Sequence, residues 1–286
     1  MSIVESPAVA SGPVVIPRER TWWQRHGTTT TVWLVRVVLV AVFLILWEIA
    51  ADRWIDITFI SRPSDIVGRL GDWIGDGTLW TNTWITVQEI VYGFLLGAVA
   101  GVLAGFVLAS LNFAYRVLDP FMMALYAIPK VALAPLFIVW FGFGLIPKVV
   151  MTFLIAFFPI VVDTLSGLKS VRPESLMLLR SMGASRWQSF WKVRLPTALP
   201  HIFSGLKIAM TFAVVGAIVA EFVASDAGLG YVLVDARANL DMVMVFAAIF
   251  WLIALGFLFY FAVEYAERIF VKGRSVKRSQ ELGAGL

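Results

Sequence analysis

Six apolar stretches set the pattern of this chain, at about residues 32–50, 85–110, 118–141, 146–168, 198–222 and 242–264, separated by polar, basic or glycine-rich breaks. A bilayer core of about 30 Å takes roughly 20 helical residues, so each stretch is long enough to cross as one helix. Ile90 to Tyr115 and Met242 to Val263 contain no formal charge, while the other stretches carry isolated charges or prolines. The predicted fold class is an all-α membrane protein with six transmembrane helices. Only one sizeable polar and basic block interrupts the pattern, Lys169 to Pro200, between the fourth and fifth stretches.

That block has its own local grammar. Pro173 suits the first position of a helix, where a missing N–H costs nothing, and Glu174 behind it suits the positive end of the helix dipole. A short helix carrying Leu176, Met177, Leu178 and Leu179 then meets Gly183, a natural C-terminal stop. Ser185 with Gln188 three residues later has the form of a capping box, which starts a second helix. Trp187, Phe190, Trp191 and Val193 are expected on one side of it, with Arg186, Ser189, Lys192 and Arg194 on the other. Pro196 is expected to limit that helix before the fifth span begins. From the residues alone, two readings fit such a knob: a docking surface, or an interfacial helix whose aromatic rings anchor at the headgroups.

Charge placement gives an orientation. With the N-terminus inside, 16 of the 23 Lys and Arg fall inside or at the inner boundary, namely Arg18, Arg20, Arg25, Arg36, Arg116, Lys169, Arg172, Arg180, Arg186, Lys192, Arg194, Arg268, Lys272, Arg274, Lys277 and Arg278. Arg53, Arg62, Arg69, Lys148 and Arg237 fall outside, and Lys130 and Lys207 within spans. Basic residues gather on the cytoplasmic side, so both termini and the 169–200 block are expected there. Composition agrees with a membrane protein: 60% of the 286 residues are hydrophobic and 15% charged, against about a quarter charged in soluble domains. With no cysteine, disulfides, thiolate metal sites and a cysteine nucleophile are excluded. The expected organisation is a cytoplasmic, largely disordered N-terminal tail over 1–31, a transmembrane domain over 32–270 that includes the 169–200 segment, and a cytoplasmic tail over 271–286. The first 17 residues lack a basic start and an apolar core, so they do not read as a cleaved signal.

Within the spans, Gly93, Gly97, Gly101 and Gly105 recur at a strict four-residue interval. This places a smooth groove on one helix face, a helix-packing surface that lets another backbone approach. Gly142, Gly144 and Pro147 predict a tight turn between the third and fourth spans. Glu89, Lys130, Asp163, Lys207, Glu221 and Glu264 are intramembrane charges, costly in lipid and therefore functional candidates. All but Lys130 lie close enough to a span end for boundary solvation to account for them. Lys130 is deeper and follows Pro129, which disturbs the helix and frees backbone carbonyls. Lys130, Pro129 and Glu221 are the candidate residues of a solute path. His26 and His201 stand apart from any carboxylate cluster, so no metal site is expected, and no nucleophile–base constellation marks a catalytic residue.

The segment Gly183-Ala184-Ser185-Arg186, followed by Val193-Arg194-Leu195-Pro196, resembles the EAA motif of permease subunits in bacterial ABC importers. Ile128 to Gly144 (IPKVALAPLFIVWFGFG), Ser61 to Asp65 (SRPSD) and Gly228 to Tyr231 (GLGY) resemble the nitrate/sulfonate/taurine branch of that family. The resemblance covers most of residues 60–270 in order. It implies a six-helix, type I ABC importer permease fold in the bacterial inner membrane. It also implies assembly as a homodimer, two ATP-binding cassette subunits holding ATP and Mg, and an extracytoplasmic solute-binding protein. No cofactor, enzymatic activity or nucleic-acid partner is implied for this chain. The coupling residues carried over are Glu174, Met177, Leu178, Gly183, Ala184, Ser185, Arg186, Leu195 and Pro196. The acidic-Ala-Ala triplet of the motif would fall at Met177-Leu178-Leu179, where no acid stands; Glu174 is the nearest substitute. The implied cargo is a small anionic solute such as a sulfonate, taurine, nitrate or a related organic compound.

The sequence contains no G-x-x-x-x-G-K-[ST] loop, so phosphate chemistry belongs to a partner. The alternative is an ATP-independent secondary transporter, a class that usually shows repeated halves with paired broken helices. No internal repeat stands out here. An intramembrane enzyme would need the reactive constellation that the spans lack.

Overall fold

A computed structural model of the protein describes residues 22–53 and 60–271, and within them the ordered elements are helical. The chain runs through α1 (Trp22–Arg53), α2 (Pro63–Gly75), α3 (Thr78–Ser110), α4 (Asn112–Ala127), a 3-10 turn at Lys130–Leu133 and α5 (Ala134–Phe141). It continues through α6 (Leu145–Lys169), α7 (Pro173–Ser181), α8 (Arg186–Ser189), a π turn at Phe190–Arg194, α9 (Leu195–Ala224), α10 (Leu229–Ala238) and α11 (Met242–Phe270). Among the described residues, five helical segments are long and apolar enough to span a membrane by themselves. The sixth candidate is broken: Tyr115–Ala127 and Lys130–Phe141 meet at 79°. Pro129 accounts for the break, because the residue before a proline is pushed out of the helical region, and Ile128 is extended at φ −62°, ψ 130°. The span expected over 118–141, with its helix disturbed at Pro129, is therefore two helices and a corner.

The helices also outrun the apolar stretches. α3 begins at Thr78 and α11 runs on to Phe270, since hydropathy marks what lipid demands whereas helical hydrogen bonding continues into polar ends. α1 starts at Trp22, inside the segment expected as tail. The rest of that tail, residues 1–21, and residues 272–286 lie outside the described residues.

α3, α6 and α9 form the heart of the bundle. The glycine interval on α3 faces one stripe of α6. A Cβ on Gly93 would strike Thr152, one on Gly97 would touch Ala156, one on Gly101 would press Ile160 and one on Gly105 would press Thr164. The offset between partners is constant along the four contacts, so α3 and α6 run parallel, brought together by the reversal through α4 and α5. α9 returns antiparallel against α6: Gly167 meets Ala198 and His201, Gly205 meets Pro159 and Asp163, and Gly216 meets Thr152 and Ile155. Close backbone approach of this kind supplies the van der Waals contact on which helices in lipid depend, because apolar burial gives no advantage there.

α1 stands apart. Val37, Leu39 and Phe43 are each more than 60% exposed, as suits side chains facing lipid tails. It is tied in at one end, where Trp47 packs on Phe246 and Phe250 of α11. Close by, Ser64 donates its backbone N–H and its hydroxyl to the Glu48 carboxylate (3.1 and 2.6 Å). The Ser61–Asp65 segment thus fixes the start of α2 on α1, with Pro63 in the first turn of α2.

Candidate functional site

Three places hold the sequence-predicted site residues. The first is the 169–200 block, at the end of the bundle where α6 finishes and α9 begins. α7 ends at Gly183, which takes φ +74°. There Gly183 N–H donates to the Arg180 carbonyl (2.9 Å) and Ala184 N–H to the Leu179 carbonyl (3.0 Å), a Schellman stop that requires a left-handed residue. Nothing lies within 4 Å of a Cβ built on Gly183. The glycine therefore serves the backbone turn, not a close contact. The capping box forms in full: Gln188 N–H donates to Ser185 Oγ (3.2 Å), and Ser185 N–H donates to Gln188 Oε1 (2.9 Å).

Pro196 does not interrupt the second helix. α8 passes through the π turn into α9, giving one helical run from Arg186 to Val223. Pro196 sits in the first turn after the π segment, where the wider hydrogen-bond spacing leaves room for a residue without N–H. The π turn also rearranges the faces expected for this helix. Phe190 turns in against Phe106 of α3 (ring centroids 5.0 Å) and Ser189 is buried, whereas Trp187 is 68% exposed. Trp187, Phe190 and Trp191 form a ring cluster with centroids 5.4–6.3 Å apart. Met177, Leu178 and Met182 are likewise exposed, at 65, 63 and 74%. Glu174 and Arg186 are exposed beside them, and Leu195 is half-buried at the root of the block.

The second place is a cavity of about 870 Å³ along α4, α6 and α9, walled by Met122, Tyr126, Phe158, Asp163, Lys169 and Phe212, among others. Lys130 stands at its edge. Its Nζ donates to the Tyr126 carbonyl (3.0 Å) and lies 5.0 and 4.7 Å from the Tyr126 and Phe158 ring centroids. Both rings line the cavity. The Lys130 ammonium is thus held by a carbonyl and two π faces. Pro129 caps the 3-10 turn that carries it. Asp163 is half-buried on the cavity wall beside Gly205.

The third place lies at the opposite end of α6 and α9. Glu221 is there, 1% exposed, rather than beside Lys130. Glu89 and Lys148 form an ion pair at 2.8 Å with side chains 0 and 7% exposed. Boundary solvation therefore fails for Glu89 and Glu221, and Lys148 is not an outside loop charge: α6 begins at Leu145 and its first turn points the lysine inward. Lys207 is also paired, with Glu267 at 2.7 Å, and Glu264 with Arg268 at 2.7 Å. The sequence signal for this cluster was the set of lone charges near span ends. Nothing in the spacing told which of them would meet.

The Gly228–Tyr231 loop seals this third place. Gly228, Leu229 and Gly230 present three successive N–H groups, to Asn82 Oδ1 (2.8 Å), Thr86 Oγ1 (2.9 Å) and Glu221 Oε2. A Cβ on Gly228 or Gly230 would collide with the Glu221 carboxylate. Both glycines are there because the acid is.

A parallel α3–α6 pair laced by glycine, an α9 returning from a projecting helix–turn–helix block, and a broken third span together define a polytopic permease-type membrane subunit. The chain belongs to the family of binding-protein-dependent transport system inner membrane components, whose pattern it matches over residues 93–271. It is 35% identical over 231 residues to the formylaminopyrimidine transport permease protein ThiX of Halalkalibacterium halodurans, covering 81% of this chain and 92% of that one. It is 28% identical over 235 residues to the taurine transport system permease protein TauC of Escherichia coli, covering 80% and 86%. Among solved structures, an inward-facing MetNI methionine ABC transporter matches at TM-score 0.60 and 22% identity, over 67% of this chain and 95% of that one, a likeness of fold. The chain is thus an inner membrane component with the fold of an ABC importer permease.

Proposed function

We propose that this chain is the path-forming subunit of an ATP-driven importer in which the 169–200 block receives the stroke of a separate ATP-binding subunit. The observation that carries the reading is the block itself. Met177, Leu178, Met182 and Trp187 are each more than 60% exposed on a segment whose turn, capping box and continuity with α9 hold it in one shape. A lipid-floating helix needs an amphipathic face but no Schellman stop and no seamless join to a core helix. A part that must transmit displacement needs both. The missing acid of the family motif makes this contact more apolar, with Glu174 at its edge.

In this reading two copies of the chain enclose the path, two ATP-binding cassette subunits seat the two blocks with ATP and Mg, and an extracytoplasmic binding protein delivers the solute. The block and both termini face the cytoplasm, in keeping with the distribution of Lys and Arg. The cargo is a small anionic organic compound of the sulfonate and taurine kind, the class named for relatives such as TauC. Lys130, whose contacts among the described residues are a carbonyl and two rings and which has an aromatic-lined cavity at its side, is suited to an anion passing the corner at Pro129.

Copurification tests this directly. The full chain, expressed with its candidate ATP-binding subunit, is expected to retain that subunit through affinity purification. Gly183→Leu is expected to abolish the association while the permease still elutes as a folded, monodisperse species. Retention of the ATP-binding subunit by folded variants disrupted across residues 180–190 would overturn the reading.

A further inference from the structure

At the end of the bundle away from the 169–200 block, two carboxylates and one ammonium are enclosed together, about 30 Å along α6 at 1.5 Å per residue. Glu221 is well supplied with donors. Its Oε1 accepts from Thr86 Oγ1 at 2.7 Å and its Oε2 from the Gly230 N–H, in the first turn of α10, whose N-terminus favours negative charge. Lys148 Nζ donates to Glu89 Oε1 at 2.8 Å and to Ser225 Oγ at 2.6 Å. Ser225 in turn bonds the backbone of Ala227. One atom is left over: among the described residues none donates to the buried Glu89 Oε2. Thr86, one turn before Glu89 on α3, reaches Glu221, and Ser225, one turn after Glu221 at the end of α9, shares Lys148 with Glu89, so the Glu89 and Glu221 carboxylates lie side by side.

The titratable groups that meet here are therefore Glu89 from α3, Lys148 from α6 and Glu221 from α9. The α5 side of Lys148 is lined by Ala134 and Ile138. The polar contact that α11 makes to α3 is neutral, Trp251 Nε1 to Thr83 Oγ1 at 2.9 Å. With all three groups ionised, the enclosure holds one unbalanced negative charge and two acceptors face each other with no hydrogen between them. Both faults have one remedy. A single added proton supplies the missing donor and brings the net charge to zero, and buried charge is tolerated only when it is balanced and hydrogen-bonded.

We infer that this junction is a one-proton binding site: Glu89 carries a proton on Oε2 and donates it to Glu221, while Lys148 balances the Glu221 charge. The proton is then a structural ligand that ties α3, α6, α9 and the Gly228–Tyr231 loop into one unit. Glu221 stays ionised because the loop N–H groups and Thr86 are built around it. Glu89 takes the proton because its second oxygen has nothing else.

Infrared difference spectroscopy on the full chain in lipid nanodiscs, read with thermal unfolding, tests this. The wild type minus E89Q spectrum is expected to contain the carbonyl stretch of a protonated, buried carboxylic acid, shifted in D2O. E89Q is expected to fold with the wild-type thermal midpoint, since its amide reproduces both the acceptor toward Lys148 and the donor toward Glu221. E221Q removes the negative charge that the Gly230 N–H, Thr86 and Lys148 surround and is expected to lower the midpoint clearly. Absence of the acid band, failure of E89Q to fold, or equal losses in E89Q and E221Q would each overturn the assignment.

Discussion

The two ends of this bundle solve opposite problems. At one end the α7–α8 block turns methionine, leucine and tryptophan outward and keeps its shape through turn chemistry, its continuity with α9 and the packing of Phe190 on Phe106. At the other, Glu89, Lys148 and Glu221 are withdrawn from every solvent and held by a dense web of donors. The contrast separates two uses of a polar segment in a membrane protein. A surface meant for a partner leaves apolar groups uncovered and is tolerant of its own substitution; a junction meant to hold helices together leaves nothing uncovered and tolerates little. Damage at the buried end is therefore expected in stability, and damage at the exposed end in association.

The sharpest test of that division is Lys148→Met, which strands a buried carboxylate. Breaking a buried pair by removing one partner costs roughly 3–5 kcal/mol, so a large fall in thermal midpoint is expected in detergent. A midpoint near wild type would erase the contrast. Next comes Gly101→Leu on the α3–α6 seam, where a Cβ already presses Ile160. Overpacking of this kind costs about 1–3 kcal/mol, read as a lower midpoint with the ATP-binding subunit still retained by the surviving folded fraction. Gly183→Leu is smaller in stability, about 1–2 kcal/mol for forcing a side chain into the left-handed region, yet its effect on copurification is expected to be complete. Met177→Ser with Leu178→Ser is expected to leave the midpoint unmoved and to weaken retention of the ATP-binding subunit. The smallest effect belongs to Arg268→Ala, which removes an exposed i,i+4 pair with Glu264 worth about 0.3–0.5 kcal/mol.

The sequence was most legible where local rules decide. Ser185 and Gln188 predicted a capping box, Gly183 a helix stop and Pro129 a disturbed helix, and each depends only on residues within a turn of itself. The four-residue glycine interval announced a smooth face but not its partner, because which helix lies alongside is settled by how the α4–α5 corner folds back. Glu89, Lys148 and Glu221 are spread over 132 positions of the chain, and charges near span ends look alike whether they meet water or each other. The π turn was hidden for another reason. It changes the helical register by one residue, so a face read at ordinary spacing places Ser189 and Trp187 on the wrong sides.

One consequence follows from the unbroken run Arg186–Val223. At 1.5 Å per residue it is a rod of about 57 Å, and a tilt of about 10° about one end carries the other roughly 10 Å. Trp187 rides at one tip of this lever and Glu221 lies near the other. Under the proposed coupling, a load applied at the 169–200 block would be delivered to the acid that the Gly228–Tyr231 loop grips. The single-turn widening at Phe190–Arg194 lies on this lever, between Trp187 and Glu221.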